Sequence, residues 1–161
     1  MSFSQIGVVG LGIMGAGIVE VFARAGYQVV GVAESAAAVD AGKSNLAKSL
    51  ARAVSKGKLS QEQSDEITAR VSFGEDFELL ADCDLVIEAA PEILSLKVEI
   101  FSKLDAAVKQ SGILATNTSS LSVTEIANAT TRPEKVIGMH FFNPAPVQKF
   151  VEVISTAYSD V

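Results

Sequence analysis

Short runs that are apolar at nearly every position, rich in Val and Ile, alternate along the chain with longer stretches where apolar residues recur every three or four positions. The first pattern reads as strands buried on both faces, the second as amphipathic helices that cover them. Strands are expected at Ile6–Val9, Gln28–Val32, Val71–Phe73, Leu85–Ile87, Ile113–Ala115, Val136–Met139 and Val151–Ile154. Helices are expected at Gly15–Ala25, Ala36–Lys56, Ser60–Ala69, Ser95–Gln110 and Ser122–Asn128. This alternation predicts an α/β fold built on a Rossmann-type doubly wound, mostly parallel sheet. The second and third helices read as a helical hairpin inserted after strand two. Ser60-Gln61-Glu62-Gln63 has the spacing of a capping box, and Gly26, Gly57 and Gly112 stand where helix ends favour glycine.

The junction between the first strand and the first helix carries the clearest chemistry. There Gly10-Leu11-Gly12-Ile13-Met14-Gly15 places three glycines in the G-x-G-x-x-G spacing. Gly10 suits the tight turn, Gly12 lets the backbone approach a pyrophosphate, and Gly15 lets helix and strand pack closely. The helix that follows aims its free N–H groups and positive dipole end at phosphate. Alone this spacing is common. Between a strand and a helix it points to a dinucleotide.

Composition narrows the classes. At 161 residues and 48% hydrophobic content, the chain fits one domain with a substantial core. The net charge is −6 and the Lys and Arg residues are scattered, so no footprint for nucleic acid or an anionic membrane is expected. Cys83 is the only cysteine, which excludes an intrachain disulfide and fits a reducing compartment. With nothing to suggest a base beside it, Cys83 reads as a small core residue and not a nucleophile. No metal site is expected. The segment Met1-Ser2-Phe3-Ser4-Gln5 has no basic region of a signal peptide, and no apolar run reaches bilayer length. The expected setting is cytoplasmic.

Three further motifs sharpen the reading: Asp84-Leu85-Val86-Ile87-Glu88-Ala89, Asn117-Thr118-Ser119-Ser120-Leu121 and His140-Phe141-Phe142-Asn143-Pro144. In this order and spacing, together with the glycine turn, they resemble the NAD-binding domain of the 3-hydroxyacyl-CoA dehydrogenase family, and most of all its bacterial 3-hydroxybutyryl-CoA members. The resemblance covers essentially all of residues 1–161, helical hairpin included. It implies NAD as cofactor, an acyl-CoA thioester as substrate, and a place in fatty-acid or butanoate metabolism. It also implies roles for particular residues. His140, the only histidine, would take the hydroxyl proton of the substrate as hydride leaves C3. Glu152 would orient that ring and stabilise its charged form. Ser119 would bind the substrate oxygen and lie near the nicotinamide, and Asn143 would lie near the nicotinamide ribose. Glu92 and Lys97 match cofactor-contacting positions. Ser49 and Lys56, on the hairpin, match positions that contact CoA, where a cation beside phosphate is apt.

The sequence departs from that pattern twice. The family places an acid at the end of strand two for the adenosine ribose. Counted from its motif, that position is Ala33, and Glu34 follows. The general rule of an acid about 20 residues after the glycines accepts Glu34 instead, although a one-residue offset within a strand turns a side chain to the other face. Residues 35–40 offer no cation for a 2′-phosphate, the next being Lys43, so NAD is favoured over NADP. The family also continues into a helical domain that closes the substrate cleft and dimerises. These 161 residues contain no counterpart, so the expectation is a cofactor domain of a larger enzyme, homo-oligomeric where the helical domain is present. Two alternatives stay open. One is a non-catalytic NAD-binding or structural protein of the lambda-crystallin kind. The other is a dehydrogenase of the 3-hydroxyisobutyrate type, which resembles the same glycine turn but lacks the H-F-F-N-P block.

Overall fold

The computed structural model describes residues 3–159; Met1, Ser2, Asp160 and Val161, part of the expected 1–161 domain, lie outside the described residues. Seven strands form one sheet: β1 (Gln5–Val9), β2 (Gln28–Val32), β3 (Val71–Gly74), β4 (Leu85–Glu88), β5 (Ile113–Thr116), β6 (Val136–Phe141) and β7 (Val151–Ile154). Their order is β3-β2-β1-β4-β5-β6-β7. Every pairing is parallel except the β6–β7 hairpin at one edge. The direction of winding reverses between β1 and β4, which is where doubly wound sheets open a crevice for ligands.

Strand periodicity explains why both faces need cover. Ile6 and Val8 of β1, Leu85 and Ile87 of β4 and Ala115 of β5 point to one face. There they meet α1 (Ile13–Arg24), α2 (Ala36–Ser55) and α3 (Gln61–Ala69). Val9, Val86 and Leu114, one residue along, point to the other face and meet α4 (Leu94–Ala107) and α5 (Val123–Ala127). The inserted pair α2–α3 packs on itself and against α1.

Serine caps fix where three helices begin. Ser35 accepts from the Ala38 N–H at 3.2 Å to start α2, and Ser122 accepts from the Glu125 N–H at 3.2 Å to start α5. Ser60 and Gln63 exchange both bonds of the expected capping box at 3.1 and 2.9 Å. Gly26 and Gly57 take positive φ at the expected helix ends.

Three boundaries differ from the sequence reading by two residues or more. Helix α1 begins at Ile13, not Gly15, so the second glycine is itself the N-cap. Helix α4 stops at Ala107, short of Gln110, and Gly112 does not cap it. Its capping comes from a distant side chain. The buried Arg132 donates to the carbonyls of Asp105 and Val108, both at 2.9 Å, and to that of Lys109. That guanidinium satisfies the carbonyls a glycine turn would otherwise serve. Strand β6 runs on through Phe141, which puts His140 inside a strand.

Candidate active site

The carboxyl ends of β1, β4, β5 and β6 lie side by side, and the sequence motifs follow directly from them. At the switch point a cleft of about 500 Å³ is lined by residues 10–14 of the glycine turn, Glu34 and residues 89–91. The three glycines are there for different reasons. Gly10 sits at φ +89, and a Cβ on it would meet the Ala89 backbone at 2.8 Å. A Cβ on Gly15 would collide with the Gly10 carbonyl oxygen at 1.7 Å. Gly12 has an ordinary φ of −64, and a Cβ there would meet nothing within 4 Å. The chain itself demands the outer two glycines. Nothing among the described residues demands the middle one, which leaves open clearance in front of the turn. Helix α1 has no side-chain cap and no acid in its first turn, so its N–H groups face the cleft without a competing anion. Leu11 is buried in the core, while Ile13 is 74% exposed and Met14 is half-buried at the cleft. A pyrophosphate fits this turn.

Ala33 and Glu34 face different surroundings. Ala33 is buried among the core residues beneath α1–α3, and its N–H donates to the Gly74 carbonyl at 3.2 Å. Glu34 is exposed and lines the cleft. Since β2 ends at Val32, the face-flipping rule of a strand no longer governs residue 34. Of the two positions only Glu34 presents a side chain to the cleft, and an acid at position 33 would enter the core.

Beyond β4 and β5 the rim is held by a charged network. Glu88, the last residue of β4, is 0% exposed, and Lys97 of α4 is 1% exposed; they pair at 2.7 Å. The other Glu88 oxygen accepts from the Thr116 hydroxyl at 2.7 Å. The Lys97 ammonium also donates to the Ala90 carbonyl at 3.2 Å and lies 3.3 Å from Glu92. Glu92 in turn accepts from the Thr118 hydroxyl and, at 3.2 Å, from the Ser119 N–H. Burial alone would raise the Glu92 carboxyl. The hydrogen bonds from Thr118, Lys97 and Ser119 outweigh it, and the net shift is downward. Glu92 stands at the rim holding the Ser119 loop, and Lys97 lies beneath the rim with its donors aimed at protein acceptors. Glu88 was missed as a site residue. Its signal was an acid closing an apolar run, in a strand covered on both faces.

Ser119 is exposed three residues past β5. In the same loop, Asn117 accepts from the N–H of Phe141 on the neighbouring strand at 2.8 Å and ties the β5 loop to the end of β6. His140 stands directly opposite Glu152 in the β6–β7 ladder, and its Nδ1 lies 2.8 Å from Glu152 Oε2. Their side chains are 21% and 48% exposed. Nε2 carries no hydrogen bond among the described residues, and Phe142 flanks the ring at 4.5 Å. The arrangement is a ring held at one nitrogen and open at the other, as a base with its orienting acid requires. Asn143 is exposed and lines the adjoining hollow between α1 and α2.

Ser49 lines that hollow too, and Lys56 lines its continuation together with Arg24, Arg52, Lys58 and Lys149. Both expected CoA contacts therefore border one cationic groove. Cys83 is buried, and burial followed by the nearby Asp84 charge pushes its thiol up to about 12, which leaves it inert. Among the described residues, no helix is long and apolar enough to cross a membrane.

Known proteins with this arrangement are numerous. The family described as "3-hydroxyacyl-CoA dehydrogenase, NAD binding domain" matches residues 5–161. A 3-hydroxybutyryl-CoA dehydrogenase of Clostridioides difficile is 48% identical over 151 residues, covering 94% of this chain and 54% of its own length. The crystal structure of FadB2 of M. tuberculosis superposes with a TM-score of 0.98 at 43% identity, covering 99% of this chain and 56% of that one. That of (S)-3-hydroxybutyryl-CoA dehydrogenase PaaH1 of Ralstonia eutropha gives 0.95 at 42%, covering 98% and 56%. The chain spans about half the length of the curated relatives it matches. With the glycine turn, the polar loop after β5 and the His140–Glu152 pair ranged along one sheet edge, the chain belongs to the 3-hydroxyacyl-CoA dehydrogenase family as its NAD-binding domain.

Proposed function

We propose that this chain is the cofactor-binding and proton-handling part of an enzyme that interconverts 3-hydroxyacyl-CoA and 3-ketoacyl-CoA thioesters. The observation that carries this reading is the His140–Glu152 pair, whose open Nε2 stands at the same sheet edge as the glycine cleft. When bound, NAD supplies the acceptor for the hydride leaving C3. The chain's own residues do the rest. His140 Nε2 takes the hydroxyl proton, while Glu152 holds Nδ1 and balances the positive ring. Ser119, kept in place by Glu92, donates to the substrate oxygen. Asn143 borders the nicotinamide ribose and Glu34 the adenosine ribose. Ser49 and Lys56 meet the CoA moiety. The cation nearest to Glu34 in the sequence that follows, Lys43, lies 3.5 Å from Asp40, which supports NAD over NADP. Val147, Phe150 and Val153 are 61–65% exposed beside the site, an apolar surface suited to cover by a helical domain that also joins two copies of the enzyme. The free thiol and the bacterial relatives support a cytoplasmic setting.

Two measurements test this. A full-length polypeptide carrying this domain should oxidise NADH with acetoacetyl-CoA. NADH binding without turnover would favour a non-catalytic role. For the cleft, Gly12→Val should fold normally, since its Cβ meets nothing, yet lose NADH binding in calorimetry because the side chain stands where pyrophosphate lies. Unchanged affinity in a folded Gly12→Val protein would move the site elsewhere.

A further inference from the structure

Between α1, α2 and residues 143–146 lies a hollow of about 200 Å³. Glu20 of α1 lines it and is 0% exposed. Arg24, one turn on, gives both its Nε, at 2.8 Å, and an Nη to the same Glu20 oxygen, Oε1. A fork-to-fork pair would engage one oxygen with each nitrogen. Here Oε2 is left buried and without a hydrogen-bond partner, alone in this among the side-chain atoms of the described residues. Folded proteins rarely leave such an acceptor unmet, because it has lost water and gained nothing. A donor group of a ligand seated in the hollow, which Lys48 and Arg52 also line, would meet it.

The surroundings define that donor. Ser49, Arg52, Pro144 and Pro146 are shared with a second hollow of about 290 Å³. Five cations line the second one, Arg24, Arg52, Lys56, Lys58 and Lys149, and no carboxylate does. The continuous groove thus offers a strongly cationic end and, nearer the glycine turn and Asn143, a buried acceptor. A ligand matched to it is polyanionic at one end and carries a neutral N–H farther along. A carboxylate repels a bare anion, so Glu20 rewards the neutral part only. The phosphopantetheine arm of a CoA thioester has this order, with phosphates followed by secondary amides. We propose that Glu20 Oε2 accepts a hydrogen bond from a pantetheine amide, which makes Glu20 a specificity-determining residue for CoA-linked substrates. This rests on the acyl-CoA reading given above.

The test compares two probes by calorimetry on this chain: CoA, and adenosine 3′,5′-bisphosphate, which keeps phosphates but has no amide. Glu20→Leu should lower CoA affinity about tenfold or more, the loss of a charge-assisted bond. It should leave NADH affinity unchanged and bisphosphate affinity unchanged or higher, since Arg24 of the cationic end loses its counter-charge. Glu20→Leu removes the buried charge of its pair, and the Arg24 left behind is not stranded in the interior, its side chain being 29% exposed. Glu20→Gln, which keeps an oxygen acceptor without the charge, should give an intermediate loss. CoA affinity unchanged in Glu20→Leu, or CoA and bisphosphate affinities falling together, would overturn the assignment to Glu20. A wild-type full-length polypeptide carrying this domain that bound neither probe would instead overturn the acyl-CoA reading, and this proposal with it.

Discussion

Two acid–base pairs stand at the same edge of this sheet, with nearly equal separations and opposite surroundings. Lys97 and Glu88 meet at 2.7 Å with side chains 1% and 0% exposed. His140 and Glu152 meet at 2.8 Å with side chains 21% and 48% exposed. The buried pair has its remaining donors and acceptors taken up by Thr116, Ala90 and Glu92. The other pair leaves one ring nitrogen open. Distance does not separate a scaffold from a reactive site. What separates them is whether a donor or acceptor is left over and reachable, because only such an atom can exchange a proton with a substrate.

The largest expected effect comes from breaking the buried pair. Lys97→Met leaves the Glu88 carboxylate without its counter-charge in the interior, and removing one partner of such a pair typically costs about 3–5 kcal/mol. Chemical denaturation should report that loss, and the Ser119 amide should exchange faster as Glu92 loses its anchor. Stability close to wild type would show that the pair is dispensable to the rim.

Most of the fold was legible because a sheet covered on both faces forces Val- and Ile-rich runs, and the glycine spacing marks the first turn. The facing of His140 and Glu152 was legible only through the family pattern, since sequence does not give the register of an antiparallel edge strand. Other features were hidden for physical reasons. Glu88 and Glu20 look like surface acids in sequence, and only the distant Lys97 and the nearby Arg24 make their burial tolerable. Arg132 caps α4 from 23 to 27 residues away along the chain, so no local signal showed that Gly112 was not needed there. Ala33 versus Glu34 depended on where β2 ended, a boundary of one residue.

A smaller effect is expected from the orienting acid. Glu152→Gln keeps the shape of the pair but removes its charge, and kcat in the full-length enzyme should fall about 10²-fold, the low end for positioned acid–base catalysis. Thermal stability should hold, since both side chains reach solvent. A large loss of stability would mean that this pair, too, is scaffold.

The smallest effect concerns a third pair at the opposite end of the strands. Lys109, followed by the Ser4 and Gln5 N–H groups, holds the Asp84 carboxyl well below the usual aspartate range. A lowered value in the folded state stabilises the protein above about pH 4, where the unfolded aspartate is also ionised. That contribution is lost as pH falls toward the folded value. Asp84→Asn should therefore cost about 1 kcal/mol or less near neutrality, with the difference from wild type shrinking in acid denaturation curves below pH 4. A difference that grew on acidification would reverse the sign of this account.

The most direct test pairs two readings on His140→Gln in a full-length enzyme carrying this domain: single-turnover reduction of acetoacetyl-CoA by NADH, and NADH affinity. The chemical step should fall about 10²–10⁴-fold, with cofactor affinity and melting temperature unchanged. Turnover near the wild-type rate would contradict it, because the described domain contains no other histidine to take over the proton.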